Sequence, residues 1–188
     1  MTEESNSLGP YNYQEVGTSG SFQYVFETDL GLSYSCWFAD GSEHFKDYNQ
    51  IKDSIVTFGF RCKPYTPKGY FHKYDPKIKP TILSILRQSL ETYPERVVLV
   101  MYQNTDHRKR NRKITFDAWY KDFCEEHSFV GKFRLTIPSP DGSDITCITM
   151  FVPETYSKTE QLKDALMDFK DELISKGLPP ATTTLAFS

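Results

Sequence analysis

Through the first third of the chain, apolar residues recur at every second position. Phe22, Tyr24 and Phe26 form one such run, Leu32, Tyr34, Cys36 and Phe38 a second, and Val56, Phe58, Phe60 and Cys62 a third, each bounded by Gly, Asp or Pro. A period of two is the mark of half-buried strands, whose side chains point alternately to the two faces of a sheet. With a short strand over residues 11–16, the pattern predicts three or four antiparallel strands. Asp29-Leu30-Gly31 and Asp40-Gly41 provide the turns between them.

The period then changes. Ile78, Ile82, Ile85, Leu86, Leu90 and Tyr93 make one helical stripe, with Asp75 placed to cap it, Pro76 at its first position and Pro94 to stop it. Residues 97–102 are apolar on both faces, which predicts a central strand reached by that helical crossover and therefore parallel to the fourth strand. Thr115 is placed to cap a second helix that puts Phe116, Trp119, Tyr120 and Phe123 on one face. Phe129, Phe133, Leu135 and Ile137 alternate again, Pro140-Asp141-Gly142 reverses the chain, and residues 145–152 return as a strand. Ser157 and Glu160 have the spacing of a capping box for a last helix with Leu162, Leu166, Phe169 and Leu173 inward, closing at Gly177. The predicted fold is α+β: a mixed, mainly antiparallel sheet with the element order β-β-β-β-α-β-α-β-β-α. It is expected to occupy residues 10–177 as one domain, with flexible ends at 1–9 and 178–188.

Composition adds that the chain is a globular one. At 188 residues it has the length of one domain, and 15% aromatic residues provide the apolar area that a disordered chain lacks. No run approaches the roughly 18 apolar residues of a membrane helix, and Glu3 and Glu4 do not suit a secretory signal, so a cytoplasmic protein with no membrane partner is expected. Cys36, Cys62, Cys124 and Cys147 are scattered without the spacing of a zinc site or a disulfide framework. Buried free thiols are expected.

Charge is uneven. Arg108, Lys109, Arg110, Arg112 and Lys113 are five of the 22 basic residues, and without them 17 face 25 acidic ones. An anionic partner, nucleic acid included, would therefore be met locally, with Arg108, Arg110, Arg112 and Lys113 as the phosphate-binding candidates. The alternative is a solvated loop whose arginines pair with acidic residues of the same domain. Asp106 suits an N-cap or a partner to Arg108. His44, His72, His107 and His127 stand apart from one another and from cysteine, so no metal and no cofactor are expected. No nucleophile elbow, phosphate-binding Walker loop or dinucleotide fingerprint is present. The aromatic run Phe22, Tyr24, Phe26, Tyr34 and Phe38 reads as sheet core before it reads as a base-stacking platform. Residues 63–74 differ in kind, placing Tyr65, Tyr70, Phe71 and Tyr74 on a Pro- and Gly-containing loop. Those aromatics either meet a protein partner or fold back over a sheet edge.

Two resemblances follow from these residues. A strand meander, helix, strand, helix and hairpin is similar to the order in the acetyl-CoA-dependent N-acyltransferases. Asn111, the helix carrying Trp119-Tyr120, and Phe129 resemble that family's pattern, which implies a general-acid role for Tyr120. Where the family has a glycine-rich loop that grips the cofactor pyrophosphate, this chain has Pro76-Lys77-Ile78-Lys79-Pro80-Thr81, with no glycine. The chain also resembles a group of short bacterial proteins without assigned activity, through Asp106, Arg108, Arg112, Phe116 and Trp119. The expected function is a non-enzymatic interaction or regulatory role with a protein partner. The alternatives are an atypical acetyl-CoA-dependent acyltransferase and an RNA-binding protein using residues 108–113.

Overall fold

A computed structural model describes residues 9–18, 21–63, 75–101, 118–123, 130–138, 145–176 and 182–186. These residues build eight strands: β1 (Gln14–Thr18), β2 (Ser21–Glu27), β3 (Ser33–Asp40), β4 (Ile55–Lys63), β5 (Val97–Met101), β6 (Val130–Pro138), β7 (Ile145–Pro153) and β8 (Thr182–Ala186). All lie in one sheet of order β1-β2-β3-β4-β5-β7-β6-β8. Helix α1 spans Ile78–Thr92, α2 covers residues 118–123, and α3 spans Thr159–Ser175. The fold is α+β, as the pattern predicts, and the β4–β5 pair is parallel while the other pairings are antiparallel.

Cross-strand register sorts the side chains into two layers. On one face Tyr24, Phe26, Cys36, Phe38, Phe58, Val98 and Phe151 pack with Ile82, Ile85, Leu86 and Leu90 of α1 and with Tyr120 and Phe123 of α2. On the other face Ile55, Val97, Leu99, Phe133, Met150 and Val152 pack with Leu162, Ala165 and Leu166 of α3. Phe45 and Ile51, carried by two 3₁₀ turns at Ser42–Phe45 and Lys52–Ser54, complete that second core. Those turns lack a hydrophobic period and were not predicted. Burying each large α1 side chain is worth about 1.5–3 kcal/mol, which outweighs a proline in the helix. Pro80 costs little where it sits: the first α-type bond runs from Thr81 N–H to the Lys77 carbonyl, so Pro80 lies in the turn where an N–H has no intrahelical acceptor.

Local signals hold at two places, are displaced at one and fail at two. Asp75 accepts from the Lys77 N–H at 3.0 Å, but α1 begins at Ile78 with Lys77 as its N-cap, so Asp75 and Pro76 form the turn before the helix rather than its cap and first position. Gly31 takes φ +73°, a region that suits glycine, and its N–H bonds to the Thr28 carbonyl in the predicted turn. The Asp40 carboxylate accepts both the Ser42 N–H and hydroxyl at 2.9 Å. The Ser157–Glu160 capping box does not form. Ser157 donates to Glu95 at 2.7 Å, and α3 starts at Thr159, whose hydroxyl donates to the Tyr156 carbonyl. Tyr156 decides this, because it is buried in the second core with its hydroxyl 2.6 Å from Ser54 Oγ, and the chain must enter the helix from there. The stretch expected as a flexible tail at 178–188 also differs: Thr182–Ala186 is β8, paired antiparallel with β6 from Lys132↔Ala186 to Thr136↔Thr182.

Leu86, fully buried under the sheet, and Met167, 41% exposed on α3, make a matched test of this layering. Leu86→Ala should cost about 2–5 kcal/mol by urea denaturation and Met167→Ala less than about 0.5 kcal/mol. Equal losses would contradict the layer assignment.

Candidate functional site

Three places bear on function: the start of α1, the aromatic side of α2, and the part of the sheet that α3 leaves uncovered.

At the start of α1 the chain supplies its own groups. Tyr11 N–H donates to Thr81 Oγ1 at 2.8 Å, and the Tyr11 hydroxyl donates to Asp75 Oδ2 at 2.8 Å while accepting the Asp29 N–H at 3.1 Å. Lys77 Nζ pairs with Asp29 at 2.9 Å and lies 4.9 Å from the centre of the Tyr11 ring. Tyr13 extends the strap along the helix, its hydroxyl donating to Gln88 Oε1 at 2.8 Å. The hydrogen bond from Lys77, helped by its charge, holds the Asp29 carboxyl below its ordinary range, and the same bond raises Lys77 in turn. Burial is the first cause that raises the Tyr11 phenol. By sign, the Asp29 contribution is present above its unfolded pKa and is lost as pH falls through the depressed folded value. The Lys77 contribution is present below its unfolded pKa and is lost as pH rises through the raised one. The strap is therefore held across the neutral range. Where the acyltransferase resemblance places a run of backbone donors for a pyrophosphate, this segment presents the Asp75 carboxylate and a proline.

On α2, Tyr120 is 2% exposed and its ring lies 4.8 Å from that of Phe151. Phe123 meets the same Phe151 edge-on at 5.9 Å, and Trp119 stacks on Phe60 at 6.5 Å. The predicted aromatic face of this helix is thus a core contact, with Tyr120 inside it.

The third place is the face of β1–β4 opposite α1, beyond the core contacts of α3 among the described residues. The aromatics Phe22, Tyr24, Phe26, Tyr34 and Phe38 all point toward α1, as core. Trp37, one position out of phase with them, points the other way. It stands opposite Gly59, and a Cβ on Gly59 would come within 2.5 Å of Trp37 Cζ2. The indole therefore lies flat on the only residue type that leaves it room. The Arg61 guanidinium sits 5.9 Å from the Trp37 ring centre, in cation–π range, and Gln23 Nε2 donates to Ser35 Oγ beside it at 2.9 Å. Arg61, Glu27 and Lys63 are exposed around this centre, while Trp37, Val25, Ala39 and Thr57 are half-buried. The core contacts of α3 lie on β4–β7, with none on β1–β3 among the described residues. Alternation carried the signal for Trp37, as a large aromatic at a polar-face position, but the prediction followed the core-facing set.

Arg108, Arg110, Arg112 and Lys113 lie outside the described residues, as do Tyr65, Tyr70, Phe71, Tyr74, Asp106, Asn111, Phe116 and Phe129. The topology still fixes where two of those segments attach. β4 and β5 are parallel neighbours, so residues 64–74 and 102–117 both leave the same end of the sheet. Burial pushes the Cys36 thiol up to about 12 and also raises Cys62; a nucleophilic cysteine needs the opposite shift. Among the described residues no group of three or more His, Cys, Asp and Glu is placed to hold a metal ion, and no helix is long and apolar enough to cross a membrane. Comparison of the chain with protein-family models, with curated proteins and with solved structures finds no match.

Two measurements check these geometries. Gly59→Ala should destabilise the protein by about 1–3 kcal/mol by lifting the indole, and by much less in a Trp37→Ala background. A cycle with no coupling would contradict the seating of Trp37 on Gly59. Lys77→Met should move the Asp29 carboxyl titration, followed by NMR, upward; an unmoved midpoint would rule out the Asp29–Lys77 pair.

Proposed function

We propose that this protein is a non-catalytic interaction module that meets a partner protein with the open face of β1–β4, centred on Trp37. The observation that carries the reading is the half-buried indole seated on Gly59 beside Arg61, on the face that α3 leaves uncovered. Tryptophan and arginine contribute large, stiff contact area, which is why they dominate binding energy at protein interfaces. A tryptophan needed only for stability would face a core, as Trp119 does against Phe60. Gln23 Nε2 donates to Ser35 Oγ beside it, which meets one donor and one acceptor of that pair within the surface itself.

The aromatic residues Tyr65, Tyr70, Phe71 and Tyr74 and the basic residues Arg108, Arg110, Arg112 and Lys113 extend the contact surface in this proposal. They belong to segments that follow the parallel neighbours β4 and β5. Burial raises the thiols of Cys36 and Cys62, the opposite of what a nucleophilic cysteine needs, and the start of α1 presents its own carboxylate where a cofactor phosphate would need donors.

The test is a capture experiment paired with a ligand screen. Trp37→Ala should abolish capture of the partner with an unchanged circular-dichroism spectrum, and acetyl-CoA, coenzyme A, nucleotides and short RNA should leave the melting temperature in place. A saturable shift with acetyl-CoA would replace this reading with an acyltransferase one that turns on Tyr120. A shift with RNA, lost in Arg108→Ala/Arg112→Ala, would replace it with an RNA-binding one.

A further inference from the structure

We infer that the free edge of the sheet at β1 is a self-association site: a second copy of this chain adds its own β1 antiparallel, about a two-fold axis perpendicular to the sheet at Val16. β1 ends the strand order, so one of its sides has no neighbouring strand among the described residues. Hydrogen-bond parity shows which backbone groups point there. Thr28 N–H donates to the Leu32 carbonyl at 2.9 Å, in continuation of the Glu27↔Ser33 register. Alternation then turns the backbone groups of Phe22, Tyr24 and Phe26 toward β3 and those of Ser21, Gln23 and Val25 toward β1. Gly41 N–H, donating to the Ile55 carbonyl at 3.0 Å, fixes the same parity from the other side of β3. Thr18, Val16 and Gln14, opposite Ser21, Gln23 and Val25, therefore spend their backbone groups on β2. Glu15 and Gly17 direct theirs outward.

Exposed edges are commonly blunted by lysine, proline or a bulge. β1 reads Gln-Glu-Val-Gly-Thr in unbroken register with β2 and has none of the three. Its one charge, Glu15, lies on the α1 face beside the Tyr24 hydroxyl. Val16 stands on the opposite face, in the row of Gln23, Trp37 and Gly59, and is 54% exposed. In an antiparallel ladder outward-facing residues oppose outward-facing ones, so the strand can meet its own copy in few registers. An axis at Glu15 would set that carboxylate against its like, and an axis at Gly17 would leave Gln14 and Glu15 beyond the end of the second β1. The axis at Val16, the middle of the strand, matches all five residues. Glu15 and Gly17 of one copy exchange both hydrogen bonds with Gly17 and Glu15 of the other, Gln14 faces Thr18, and Val16 faces Val16, the reciprocity that a two-fold contact requires. The Val16 pair falls at a position without hydrogen bonds, where Cα atoms approach to about 4.5 Å and the two side chains cover each other. This match of the strand to itself selects a second copy as the occupant. Before Gln14 the chain leaves the edge, with Tyr11 N–H and the Tyr13 hydroxyl bonded to Thr81 and Gln88 of α1, so the ladder is short and the dimer concentration-dependent.

The experiment is sedimentation equilibrium of the full chain from about 10 μM to about 1 mM, the range of a weak contact. The wild type should pass from monomer to dimer over that range. Val16→Lys, which sets like charges opposite each other on an exposed position, should weaken the association about tenfold or more. Gly17→Pro should do the same by removing an outward N–H, and should keep the fold because the bonds to β2 come from the alternate residues. Trp37→Ala should leave the association unchanged, since β3 lies two strands in from the edge. In an oxidising glutathione buffer Val16→Cys should form a covalent dimer and Thr18→Cys should not, because only position 16 meets itself at disulfide distance. A wild type that stays monomeric to the top of the range would overturn the dimer, as would Val16→Lys or Gly17→Pro dimerising like the wild type. Crosslinking through Thr18→Cys in place of Val16→Cys, or a dimer lost in Trp37→Ala, would overturn pairing at this edge. Circular dichroism on every variant separates these outcomes from misfolding. Because Trp37→Ala is silent here and decisive for partner capture, the two readings fail separately.

Discussion

The parallel pairing of β4 with β5 is the constraint from which the rest of the arrangement follows. Parallel neighbours need a crossover, and α1 is that crossover, laid on one face of the sheet with Ile82, Ile85, Leu86 and Leu90 beneath it. The meander β1–β4 is then committed on that side, because its even-numbered aromatics must pack under the helix. Two-sided apolarity in β5 demands a cover on the opposite face, which α3 supplies together with Phe45 and Ile51. A helix of this length covers only part of an eight-stranded sheet, and it is centred over β5–β7. Among the described residues α3 makes no core contact with β1–β3 on that face, and Trp37 of β3 lies there.

Periodicity made most of this legible. Alternation placed the strands, a helical stripe placed α1, and the doubly apolar run 97–102 located the centre of the sheet and the parallel pair with it. These signals are strong because burial must match geometry residue by residue. Partners that come from distant sequence were harder to read. The Ser157–Glu160 spacing is that of a capping box, yet Glu95 takes the Ser157 hydroxyl and Tyr156 sets where the helix begins. β8 is a Thr-rich strand with no apolar alternation in its sequence, and only its pairing with β6 distinguishes it from a tail. The 3₁₀ turns between β3 and β4 repeat too briefly to leave a period.

The site was less legible than the fold for a related reason. Alternation says which face a residue occupies and does not say what covers that face. Phe38 and Trp37 are adjacent in sequence and equally aromatic, and only the placement of α1 and α3 separates a core ring from a surface one. Gly59 carried no visible meaning until its cross-strand neighbour was known. The cluster 108–113 and the aromatic loop 64–74 drew attention through composition, and the topology adds that they follow parallel neighbouring strands.

The seating of Trp37 on Gly59 ties two distant positions into one evolutionary choice. A side chain at 59 evicts the indole, and a small residue at 37 leaves a bare backbone trough on the surface. Change at either position therefore exposes the other to selection, and the two should drift together or not at all. Relatives that keep both would share the contact surface, whereas those that lose both at once would share only the scaffold. Sorting relatives by this pair would divide them by the surface they present, independently of overall similarity.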